Sequence, residues 1–78
     1  MEIALKEFTE AVLNDATLAA ETKDDVVEQL SMLAAQVAVP HESRVMGIMK
    51  ALVTSIAANI ASTGLVGHWN TIKHMLGF

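Results

Sequence analysis

The sequence predicts an all-α fold, a small bundle of three to four helices over about residues 2–14, 20–38, 42–62 and 65–76, the last two strongly apolar. Three observations carry this. Large apolar residues recur at spacings of three and four in successive segments, the period of a helix with one buried face. Residues that stop helices separate those segments: Asn14-Asp15, Pro40 and Gly64. Finally, the 22 residues from Ala51 to Ile72 contain no Asp, Glu, Lys or Arg, so this part of the chain needs cover. At 78 residues the chain makes one domain, 1–78.

The first helix follows from Leu5, Phe8 and Val12, with Glu2, Lys6, Glu7 and Glu10 on the other side. Glu2 and Lys6 stand four apart in the favourable order, worth a few tenths of a kcal/mol, roughly. Asn14-Asp15 is the expected stop, because both tolerate the left-handed conformation and compete for backbone hydrogen bonds. In the second helix Val26, Leu30, Leu33 and Val37 keep a 4-3-4 rhythm. Thr22-Lys23-Asp24-Asp25 has the form of a capping box, with acids where the helix dipole favours them. Pro40 ends this helix and pushes Val39 toward an extended conformation.

The third helix starts near His41 to Ser43 and carries Met49, Val53, Ile56 and Ile60, flanked by Val45, Met46 and Leu52, with Ser55, Asn59 and Ser62 opposite. The register then slips. Leu65 comes five residues after Ile60, with Gly64 between, and Leu65, Trp69, Ile72 and Leu76 resume the rhythm. A break at Ser62-Thr63-Gly64 is therefore expected, with a shorter fourth helix beyond it. Met49, Leu52, Val53, Ile56, Asn59, Ile60, Leu65, Trp69 and Ile72 are the expected core or interface. Of the methionines, Met32, Met46, Met49 and Met75 lie in or beside these stripes, where filling gaps in a core is the commoner use.

Charge is uneven. Residues 1–28 hold eight acids against Lys6 and Lys23, while residues 29–78 hold Glu42 against Arg44, Lys50 and Lys73. With no cluster of basic residues, no nucleic-acid partner is expected. There is no cysteine, hence no disulfide or thiolate metal site. His68 and His74 are six apart, on separate faces of a helix, and His41 is distant, so no metal site or other cofactor is predicted. Asp24 and Asp25 are explained by helix capping. No nucleophile elbow, phosphate-binding loop or EF-hand occurs, and no enzyme is predicted. The opening Met1-Glu2 is acidic where a secretory leader is basic, which makes the expected location cytoplasmic or reached from the cytoplasm at a membrane.

What covers the charge-free stretch decides the function. Its seven Leu, Ile and Val side chains would contribute about −2 to −4 kcal/mol to membrane insertion. Asn59, His68 and Asn70 oppose this, and Lys50 and Lys73 bracket the segment. Ser55, Asn59 and Thr63 recur every four residues and could bond across associated helices.

The series Leu18-Ala19-Ala20-Glu21-Thr22-Lys23, Val27-Glu28-Gln29-Leu30, Leu33-Ala34 and Pro40, followed by an alanine-rich apolar helix, Trp69 and Met75-Leu76-Gly77-Phe78, also carries a resemblance. Over about residues 11–78 it resembles the helical C-terminal module of many bacterial, often cyanobacterial, multidomain proteins, including pentapeptide-repeat and conflict-system or antiphage proteins. Such modules often carry Ser where Ala19 stands, which implies a weaker or shifted helix cap here. The resemblance implies an adaptor, assembly or membrane-proximal effector module with no enzymatic residues. The expectation is thus a non-enzymatic adaptor of a bacterial defence system, associating with itself or with a partner helical domain through the third and fourth helices. The alternative is a membrane-active effector whose C-terminal helices insert as an oligomer. A third reading docks Asp24, Asp25 and Glu28 of the second helix on a separate protein.

Overall fold

The helix-stopping residues divide the chain as the periodicity demands. The computed structural model describes residues 1–78 and contains four α-helices with no strand: α1 (Glu2–Leu13), α2 (Ala20–Ala38), α3 (Met46–Asn59) and α4 (Val66–Met75). Each helix packs on the next, and α4 returns to α1, so the four enclose one core. Leu5, Phe8 and Val12 enter it from α1, and Val26, Leu30 and Leu33 from α2. Met49, Leu52, Val53 and Ile56 enter from α3, Ile60 from its end, and Trp69 and Ile72 from α4. No polar or charged residue is buried. The accessible surface is 4672 Å², close to the roughly 4,600 Å² that a compact monomer of this size exposes. The four stripes therefore cover one another within a single chain.

The connections differ from expectation in instructive ways. The first helix stops one residue early, at Leu13, and Asn14 is right-handed (φ −89°, ψ −3°), so no left-handed residue ends it. The Asp15 carboxylate makes the turn instead, accepting from the Thr17 hydroxyl, from the Thr17 N–H at 2.7 Å and from the Leu18 N–H at 3.1 Å. Those bonds, led by the Thr17 hydroxyl, hold the Asp15 carboxyl below its ordinary pKa of 3.8. The capping box does not form. The second helix runs over Ala20–Ala38, the span expected, so Thr22 lies inside it and not at its cap. Ala19 is the N-cap and has no side-chain bond. Its carbonyl accepts the Lys23 N–H at 2.9 Å. Asp24 and Asp25 are exposed one turn further on and cap nothing.

The single helix expected over 42–62 is also corrected. A 3₁₀ turn, His41–Ser43, follows Pro40, the chain then runs extended through Arg44 and Val45, and α3 occupies Met46–Asn59. Long side chains hold this link. The Arg44 guanidinium donates to the Val37 carbonyl at 3.1 Å and to the Val39 carbonyl at 3.4 Å, satisfying carbonyls that the end of α2 leaves open. The Gln36 side-chain oxygen accepts the Val45 N–H at 3.0 Å.

At the second break Thr63, rather than Gly64, does the turning. Its N–H and hydroxyl both donate to the Ile60 carbonyl, at 2.9 and 2.8 Å, and its hydroxyl accepts the Leu65 N–H at 3.1 Å. The left-handed freedom of glycine is used only at Gly77 (φ +91°). There the Gly77 N–H donates to the His74 carbonyl and the Phe78 N–H to the Lys73 carbonyl, closing α4 in a Schellman motif. Nothing lies within 4 Å of where a Gly77 Cβ would sit. Gly77→Ala is thus expected to destabilise through backbone strain alone, by about 1 kcal/mol, read as a lower urea midpoint with an unchanged slope.

Candidate interaction surface

The structure separates the nine residues expected at the core or interface. Met49, Leu52, Val53, Ile56, Ile60, Trp69 and Ile72 are buried inside the chain, and Leu65 is half-buried against them. They are core, because α1 and α2 lie over the stripe of α3 and α4 that was expected to seek a second molecule. Asn59 is half-buried and polar-bonded. Gln29 on α2 donates to the Ser55 hydroxyl at 2.8 Å, and its side-chain oxygen accepts from Asn59 at 3.3 Å. The Ser55/Asn59 ladder does bond across helices, within one chain, while Thr63 is spent on the break.

Gln29 was not singled out from the sequence. Its only signal was its place beside Leu30 at the margin of the α2 stripe. Gln29→Ala is expected to cost about 1 kcal/mol, the low end because water can reach Ser55 and Asn59 in its absence. Thermal or urea melts would register the loss; no change would mean that the ladder contributes nothing to the α2–α3 contact.

The methionines divide in the same way. Met49 fills the core, but Met32, Met46 and Met75 are exposed, so core-filling describes only one of the four. Met32 and Met46 belong to a concentration of exposed apolar side chains. Met32 on α2, Val39 and Val45 in the link, and Met46 and Ile48 on the first turn of α3 all stand on the α2–α3 hairpin, toward its connected end. The remaining large exposed apolar residues, Ile3, Leu13, Val66 and Met75, are scattered singly over α1 and α4. Next to Met32 a groove of about 330 Å³ runs between the two helices, lined by Asp25, Glu28, Gln29, Met32 and Leu52. It combines carboxylates with an apolar floor. The outward side of α3 beside it, Gly47, Ala51, Thr54 and Ala58, is exposed and uncharged.

On the opposite side of the molecule three rings join α1 to α4. Phe8 meets His68 edge-on at 5.1 Å and 83°, and Trp69 at 5.1 Å and 39°. His68 is nonetheless exposed, as are His41 and His74. Trp69 is 1% exposed, and its indole N–H has no hydrogen-bond acceptor. No three His, Cys, Asp or Glu side chains come together as a metal would need. Nor is any helix long and apolar enough to cross a membrane.

No family model matches the chain, and neither a curated protein nor a solved structure does.

Proposed function

We propose that this chain is a non-enzymatic interaction module that assembles with copies of itself. One observation supports the reading above the others. The core is complete within one chain, yet five of the nine large apolar side chains left exposed fall on the α2–α3 hairpin and its link, with Met32 beside the groove between the two helices; exposed apolar side chains gathered on one element mark protein contact sites. The apolar stripes of the third and fourth helices are taken up by the core that all four helices share, and the hairpin formed by the second and third supplies the contact. The likeness to helical modules of bacterial conflict systems adds the role of an adaptor in defence, in the cytoplasm. Sedimentation velocity from about 1 µM to about 1 mM tests self-assembly. A concentration-dependent shift to a larger species supports it, and a folded monomer throughout removes it. The adaptor role is checked on the genome: an NTPase, protease or nuclease gene alongside would support it, and recurrent neighbours of unrelated metabolism would oppose it.

The membrane-active alternative has less behind it. α3 has 14 residues and α4 has 10, lengths of about 21 and 15 Å against a hydrocarbon layer of about 30 Å. Their apolar stripes are also already engaged. Insertion would require the core to open. Flotation with liposomes decides: recovery with the lipid, accompanied by dye leakage, would replace the assembly reading with this one.

A further inference from the structure

We propose that the α2–α3 face is self-complementary and binds a second copy of this chain in antiparallel two-fold fashion, with Met32 at the axis, Ile48 of each copy in the groove of the other and Arg44 of each against Asp25 of the other. The inference rests on the self-assembly reading and gives it a surface.

The argument is one of charge and spacing along α2. Its first half is acidic: Glu21, Asp24, Asp25 and Glu28 stand there against Lys23. From Gln29 to Ala38 it has no charge at all. Met32 is 49% exposed and lines the groove together with Asp25, which precedes it by seven residues, two turns along the same face. That separation is about 10 Å. On the other side of Met32, the carbonyls of Val37 and Val39, five and seven residues on, hold the Arg44 guanidinium. Its charge thus sits about 8–10 Å beyond Met32. It stays on the same side of the hairpin, because the adjoining Val45 N–H is bound by Gln36, one turn from Met32. A negative and a positive group lie at matching distances on either side of one exposed apolar residue. A two-fold axis through Met32, perpendicular to α2, lays each upon its opposite.

The apolar parts obey the same symmetry. The Gln29–Ser55 bond sets the pairing of α2 with α3, which places Ile48 one turn beyond Leu52 and on the far side of Met32 from the groove. Ile48 is 44% exposed. Under the same axis it falls on the groove of the second copy, whose floor is Met32 and Leu52. The uncharged side of α3, with Gly47 and Ala51, permits close approach there. Only Glu42 sets a negative charge near the Arg44 end.

The test uses the full chain. Sedimentation equilibrium is run on the wild type, on Ile48→Arg and on the pair Asp25→Lys with Glu28→Lys, all substitutions at exposed positions, with circular dichroism confirming the fold. Each is expected to raise the dissociation constant roughly ten- to hundredfold, since two-fold symmetry makes every substitution count twice. Mixing the Asp25→Lys, Glu28→Lys chain with an Arg44→Glu chain is expected to restore a heterodimer, because only that mixture puts opposite charges at both ends. The chain has no cysteine, so a short bis-maleimide joins only introduced ones. It is expected to capture dimers of Met32→Cys and none of Val66→Cys, on α4. This second readout holds even where Arg44→Glu fails to fold. If the wild type associates but these variants associate equally well and Met32→Cys is not captured, this surface is wrong and self-assembly stands. If the wild type stays monomeric to about 1 mM, both fall.

Discussion

Trp69→Ala is expected to bring the domain close to its unfolding threshold at 25 °C. A chain of 78 residues has about 4–12 kcal/mol of stability in all, and truncating a buried tryptophan to alanine costs about 3–5 kcal/mol. Trp69 is the largest side chain that is fully buried, and it touches Phe8 across the α1–α4 contact. Its removal opens a cavity at the point where the four-helix circuit closes. A second variant separates size from chemistry. The buried indole N–H has no acceptor, and such an orphan costs the native state about 1–3 kcal/mol. Trp69→Phe removes the orphan along with part of the ring, so the two effects oppose and a net loss of about 1 kcal/mol or less is expected. Urea unfolding followed by far-ultraviolet circular dichroism measures both. A phenylalanine variant as unstable as the alanine one would show that the N–H carries no penalty.

The pattern of burial around Trp69 was legible because it is periodic. Val26, Leu30 and Leu33, or Met49, Val53 and Ile56, announce a buried face whatever lies against it. Periodicity does not say what does lie against it, because that depends on the summed area of all four stripes. Here α1 and α2 suffice, so Met49, Val53, Ile56, Ile60, Trp69 and Ile72 are core, and the exposed apolar surface lies at Met32, Val45 and Ile48. The turns were read less well for a related reason. The breaks fall where expected, at Ser62-Thr63-Gly64 and before Ala20, but other groups make them: Asp15 rather than a Thr22 capping box holds the first, and the Thr63 hydroxyl rather than the freedom of Gly64 holds the second. Arg44 and Gln29 reach across to another helix, the latter over 26 residues to Ser55. No spacing rule within a helix detects such bonds. The break at Pro40 was read correctly because its cause is covalent and needs no partner.

Phe8→Ala is expected to cost about 3–5 kcal/mol as well, and it asks whether α1 is integral to the fold or merely applied to it. Phe8 is fully buried and joins α1 to His68 and Trp69 on α4. Part of the loss is transfer and cavity energy, and about 0.5–1.5 kcal/mol belongs to the aromatic pairing itself. A double-mutant cycle of Phe8→Leu with Trp69→Phe isolates that pairing; strictly additive losses would deny it. Trp69 is the only tryptophan, which makes its fluorescence a direct reporter of this contact in Phe8→Ala. With a single core shared by four helices, α1 cannot leave without exposing Trp69, Ile72 and the stripe of α2 together. The fluorescence and circular-dichroism transitions of the variant are therefore expected to coincide. A fluorescence transition that precedes the loss of helix would mean that α1 detaches first. The α2–α3 hairpin, pinned by Gln29 and Arg44, would then be the stable unit, and the charge-free stretch would be only conditionally covered.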